Sequence, residues 1–163
     1  ASGNPVPSKF VDDRTRRQLA IGAGGLLLVG AMGALNALSD TLYPAESFFS
    51  GVQQELSADS PWLVQLRVLH PIVAVAVGFG VAYLTMRLST SATNTPKRAS
   101  AIIIGLVVLQ FFAGLVNVML ATPLETQIVH LAFADAMWIA YVIFAAALLG
   151  EHQTAEAPIE RIA

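Results

Sequence analysis

The chain has 163 residues, enough for one domain, with a formal net charge of -2 and no cysteine. That charge gives no case for nucleic acid, and the missing thiols exclude disulfides, thiolate ligands and iron–sulfur clusters. Only 12% of residues are charged and the mean hydropathy is +0.65; soluble domains carry about 25% charged residues, so these figures point to a lipid bilayer.

Residues 1–17, ASGNPVPSKFVDDRTRR, are polar with two prolines and a basic end, and read as a tail or linker. Residues 18–150 read as a single transmembrane domain. Its first apolar run, residues 19–38, carries no charge. At about 1.5 Å per residue such a run just crosses a hydrocarbon core of about 30 Å. Gly22, Gly24, Gly25, Gly30 and Gly33 would weaken a soluble helix, but in a membrane they let neighbouring backbones approach. Residues 39–61 are the longest loop, with Asp40, Tyr43 and Pro44 in its first turn. Within it Phe48, Phe49, Val52 and Leu56 recur at near-helical spacing across Ala45–Leu56, which predicts a short amphipathic helix on the membrane surface.

Ser60-Pro61 opens the second span, with Ser60 as the expected cap, and the span runs to about Leu88. A polar turn over residues 89–98 leads to a third span from about Ala99 to Ala121. Thr122-Pro123 starts the fourth, which ends near Gly150; residues 151–163, including a solvated His152, read as a polar tail. The expected fold is therefore all-α, a transmembrane up-down-up-down four-helix bundle. Lys9, Arg14, Arg16, Arg17, Arg87, Lys97 and Arg98 flank the spans on one side, whereas the loops at 39–61 and 122–127 have no Lys or Arg. The positive-inside rule puts both termini in the cytoplasm.

Polar groups within the spans are costly and need an account. His70 lies eight residues after Trp62 and His130 seven after Pro123. Both are then about 10–12 Å into helices that run the same way. The two imidazoles share a level in the outer half of the bilayer, on helices that are diagonal neighbours. Each has alanine one turn deeper, Ala74 and Ala134, leaving room for a flat macrocycle. Each has a hydrogen-bonding group one turn shallower, Arg67 and Gln127. One haem ligated by His70 and His130 fits this pattern, with its propionates near Arg67 and Gln127. The competing reading is that each histidine only bonds another helix. A zinc site would need further ligands. Pro71 removes the backbone bond to the Arg67 carbonyl and can kink its helix. Gln110 and Asn117 could line the pocket or bond another helix. Asp135, about 140° around the helix from His130, is expected to bond a neighbouring helix.

LRVLHP in the second span, QFFAGLVNVMLATP in the third, QIVHLAFADAMW in the fourth and the loop stretch ALSDTLYPAES resemble the haem A synthase family. The resemblance covers most of residues 20–150. It implies one of two similar four-helix halves, each with a histidine pair on its second and fourth helices. One half oxidises the methyl group of haem O to the formyl of haem A. The chain is similar to the other, C-terminal half, in which His70 and His130 would be axial ligands of one haem b per chain. The catalytic half has a glutamate three residues before its first histidine. Arg67 stands there in this chain, which disfavours independent methyl oxidation, and the external cysteine pair of some members is absent too. The resemblance implies an oxidoreductase only if the chain is joined to a catalytic half. The expected surroundings are the lipid bilayer and a second four-helix half or other membrane subunits. The expected location is a bacterial or archaeal plasma membrane, with the haem in the outer leaflet half. The alternatives are a stand-alone cytochrome b-like electron-transfer or structural subunit of a larger complex, and a haem-free scaffold.

Overall fold

A computed structural model describes residues 13–154, with side chains over 13–150. The described chain is all helical. Helix α1 covers Asp13–Leu42, α2 Phe48–Leu56 and α3 Trp62–Gln65. A 3-10 turn at Leu66–Val68 leads into α4, Leu69–Ser89, and then come α5, Asn94–Met119, and α6, Leu124–Thr154. Four stretches are long and apolar enough to cross a membrane: Asp13–Leu42, Trp62–Ser89, Asn94–Met119 and Leu124–Gly150. Their outward faces carry Ile21, Leu28, Phe79, Ile102, Phe112 and Ile143, each more than half exposed. Water would not tolerate apolar surface on every side of a bundle; lipid requires it.

Helix ends differ from the hydropathy boundaries. Helix α1 already includes residues 13–18, within and next to the expected tail, at the start of the described residues. It also runs past Ser39 and Asp40, which hydropathy assigns to a loop, because both side chains are held by Arg67. Helix α5 starts at Asn94 rather than Ala99. Ser60 does not cap the second span. The cap position is Pro61, whose carbonyl accepts from the amides of Val64 and Gln65. The amphipathic helix is present, three residues shorter than expected at its start. Ser47 caps it, with a reciprocal bond to Ser50. The expectations for residues 1–12 and 155–163 and for the side chain of His152 lie outside the described residues.

Helices α1 and α4, α4 and α5, α5 and α6, and more loosely α1 and α6, pack side by side and close a ring. Small residues set the α1–α4 approach. A Cβ on Gly25 would lie 3.1 Å from Val77, and one on Gly33 would lie 3.3 Å from the His70 ring. A Cβ on Gly22 would collide with the Tyr141 hydroxyl. Gly24 and Gly30, by contrast, face open space, so only part of the glycine run serves packing.

The buried apolar core lies toward the end that holds Arg87 and Lys97. It contains Leu19, Leu26, Val81, Ile103, Tyr141 and Phe144. The Tyr141 hydroxyl donates a 2.7 Å bond to the Leu19 carbonyl and pins α6 to α1 there. Toward the other end the packing changes. No described residue is buried between Leu26 and Ser39 on α1, between Arg67 and Gly78, or between Val107 and Met137. At 1.5 Å per residue, the α1 interval is a slab about 18 Å deep. A polar cluster around Arg67 closes it at the far side.

Candidate functional site

Pro71 sets the local backbone. It has no N–H for the Arg67 carbonyl, and its ring crowds that carbonyl. The span narrows to the 3-10 turn Leu66–Val68 one residue before α4. Arg67 lies in this turn and His70 just beyond it.

Arg67 is buried. Its Nε lies 3.1 Å from Asp40 Oδ1 and donates to Ser39 Oγ at 2.8 Å, while one terminal nitrogen donates to the Tyr43 carbonyl at 2.9 Å. Asp40 also takes a side-chain hydrogen bond from Thr122. One cluster thus ties the end of α1, the start of the second span and the α5–α6 turn. Glu55 on α2 borders it. Burial pushes the Glu55 carboxyl above its usual range, while Arg67 pulls it down and Asp40 adds to the rise.

His70 and His130 lie in the slab, both half-buried. Helices α4 and α6, which carry them, are not among the closely packed pairs, as diagonal members of the ring should be. Each ring rests against a glycine of the neighbouring helix. A Cβ on Gly33 would lie 3.3 Å from His70 Cε1, and one on Gly114 would lie 3.1 Å from His130 Cε1. The Nδ1 atoms of both are buried without a hydrogen-bond partner. Nε2 of His130 lies 3.3 Å from Nε2 of Gln110. Buried ring nitrogens are normally satisfied, so two orphans in one slab indicate a missing electron-pair acceptor or hydrogen-bond partner. Glycines where a Cβ would crowd the rings, and alanines at 74 and 134 that are half-buried, leave space beside each imidazole. A flat group held by the two histidines is compatible with these residues.

The other expected site residues make hydrogen bonds within the protein. Gln127 Nε2 donates to the Thr122 carbonyl at 2.7 Å, and the bonds of Arg67 run to α1 and the following loop. Asn117 Oδ1 accepts from Thr126 at 2.6 Å, a link between α5 and α6. Asp135 does turn away from His130, but among the described residues it bonds no neighbouring helix of the bundle; it is exposed on the outer face of α6. Among the described residues no three His, Asp or Glu side chains gather to hold a metal ion. Sequence reasoning missed the roles of Gly33 and Gly114 at the rings; the signal was glycine within a span at the level of each histidine.

Residues 3–142 match the COX15-CtaA family, described as cytochrome oxidase assembly protein. The chain belongs to this family. Its four apolar helices and this membership make it an integral membrane protein of the haem A synthase type. Among curated proteins it is similar to the protoheme IX farnesyltransferases of two strains of Thermus thermophilus. Each is 38% identical over 135 residues, covering 80% of this chain and 22% of the relative. The family match thus extends over most of the chain, whereas the chain spans about a fifth of those relatives' length. No solved structure matches.

Proposed function

We propose that this chain is a haem b-binding domain of the haem A synthase type, built as an up-down-up-down bundle, with His70 and His130 as the two axial ligands of one haem. The observation that carries the reading is the slab without buried side chains, into which two imidazoles with unpartnered Nδ1 atoms are set against glycines. Family membership supports it, because haem A synthases handle haem for cytochrome oxidase. The relatives' name concerns protoheme IX, which is haem b. Their prenyl transfer is not carried over from a match to a fifth of their length.

Held by two histidines, a bound haem would supply one-electron transfer rather than oxygen chemistry. The protein residues do the rest. His70 and His130 would hold it between α4 and α6, and Gly33, Gly114, Ala74 and Ala134 would leave room for it beside the imidazoles. Arg67 and Gln127, at the outer side, would meet the propionates with donors beyond those already engaged. Arg67 in place of a carboxylate argues for electron transfer or structure rather than methyl oxidation. The catalytic step would then belong to a second four-helix half or another subunit. The proposed location is a plasma membrane, with both termini cytoplasmic.

The test is a reduced-minus-oxidised spectrum with a pyridine haemochrome assay on the purified protein. The expected result is one six-coordinate low-spin b-type haem per chain, lost in both His70→Ala and His130→Ala and kept in His152→Ala. Absence of haem from the wild type, or a bis-histidine spectrum in both single variants, sinks the assignment.

A further inference from the structure

Asp135 is the one acid of α6 that sits in mid-span. It lies eleven residues after Leu124, about 16 Å along the helix and near the middle of a hydrocarbon core of about 30 Å. Its side chain is exposed and has no ion-pair or hydrogen-bond partner among the described residues. A carboxyl facing acyl chains at that depth is costly and normally faces a partner or a polar cavity. The surrounding face is regular. Ile128, Ala132, Asp135, Ile139, Val142 and Ala146 are all exposed and recur at steps of four and three. This is the 3.5-residue period of a seam between two helices crossing at a shallow angle. The seam is about 27 Å long at 1.5 Å per residue, and its single polar member is near the centre, where such a group fixes register and partner.

We infer that the outer face of α6 is a docking surface for a transmembrane helix that brings a hydrogen-bond donor, cationic or amide, to the bilayer midplane opposite Asp135. Charge complementarity selects this occupant. A second copy related by a two-fold axis along the membrane normal would set carboxyl against carboxyl, where the only donor is the proton of a neutral acid, whereas a cationic or amide side chain donates to Asp135 in either state. A wholly apolar helix would leave the carboxyl unpartnered. The inference is independent of the haem reading, because Asp135 faces away from both imidazoles.

The test uses the full chain in phosphatidylcholine vesicles with synthetic leucine–alanine transmembrane peptides that carry Arg, Gln or Leu at their centre, followed by energy transfer. The Arg and Gln peptides should bind about ten-fold more tightly than the Leu peptide. Asp135→Leu should bind all three alike, and Asp135→Asn should keep the preference for Gln while losing any excess for Arg. Both variants should retain wild-type helicity and thermal unfolding, since the side chain lies outside the bundle. Equal affinity of the wild type for the three peptides overturns the proposal. Efficient disulfide cross-linking of Ile139→Cys copies to one another without peptide does so too, because the occupant would then be a second copy.

Discussion

Arg67 is a buried cation whose position depends on the side chains around it. Removing one partner of a buried ion pair is expensive, because the other charge stays desolvated. Asp40→Asn should therefore destabilise the protein by about 3–5 kcal/mol in a detergent unfolding titration. Asp40→Asn combined with Arg67→Met should recover part of that loss; a double variant no better than the sum of its singles would show that the pair is not the source. Glu55 gives a pH signature at the same cluster. Its folded-state carboxyl sits above the usual value of 4.5, so the folded chain binds more protons than the unfolded one in the window above that value. This contribution is therefore fully present below pH 4.5 and is lost as pH rises through the folded value. Glu55→Gln should unfold at a higher temperature than wild type at neutral pH, and the gap should close well below pH 4.5. A gap that grows on acidification would reverse the sign and refute the burial argument.

At the scale of elements, the α5–α6 turn stands out. Ala121 and Thr122 both have left-handed backbones, with φ of 58° and 57°. Each such residue costs about 1–2 kcal/mol relative to its right-handed form. The turn holds because the Thr122 amide donates to the Asn117 carbonyl at 2.8 Å and the Thr122 carbonyl takes the Gln127 side-chain amide. Ala121→Gly should relieve the strain and stabilise the chain by about 0.5–1 kcal/mol after glycine's own entropy loss; a loss of stability would mean that the methyl group packs better than its conformation suggests. The four spans, the surface helix and both histidines are legible in the sequence, because hydropathy and in-span polarity are local signals. The helix ends are not, since hydropathy marks where lipid stops and not where hydrogen bonding stops. Asn94–Arg98 are polar and helical for that reason. The pairing of Arg67 with Asp40 is not legible either. It joins residues on different helices, whereas the sequence offers only the same-face neighbour His70. The expected bond from Asp135 to a helix of the bundle fails because a helical wheel gives an angle from His130 but not which neighbours exist at that angle.

For the whole molecule, the division into a packed half and a loosely filled half predicts uneven stability. The Leu19–Phe144 core is complete from protein atoms alone. The slab around His70 and His130 contributes no buried apolar side chain, so its helices open more readily. Amide exchange of the purified protein before haem is added should be slower over residues 99–107 and 137–148 than over 108–119 and 124–134 in detergent micelles. Adding haem should slow exchange in the second set and leave the first nearly unchanged. Uniform protection along α5 and α6 would contradict the division.

The charges are sorted end to end in the same way. Arg14, Arg16, Arg17, Arg87, Lys97 and Arg98 lie at the ends of spans nearest the packed core, and the one basic residue near the far end, Arg67, is neutralised by Asp40. Across an energised membrane each elementary charge moved through 100 mV corresponds to about 2.3 kcal/mol. In the proposed orientation, with both termini cytoplasmic, turning the bundle over would carry those six cations against a potential that is negative inside. The membrane voltage, and not only the insertion machinery, would thus hold the domain in one orientation and keep the histidine level facing the same aqueous compartment for the life of the protein.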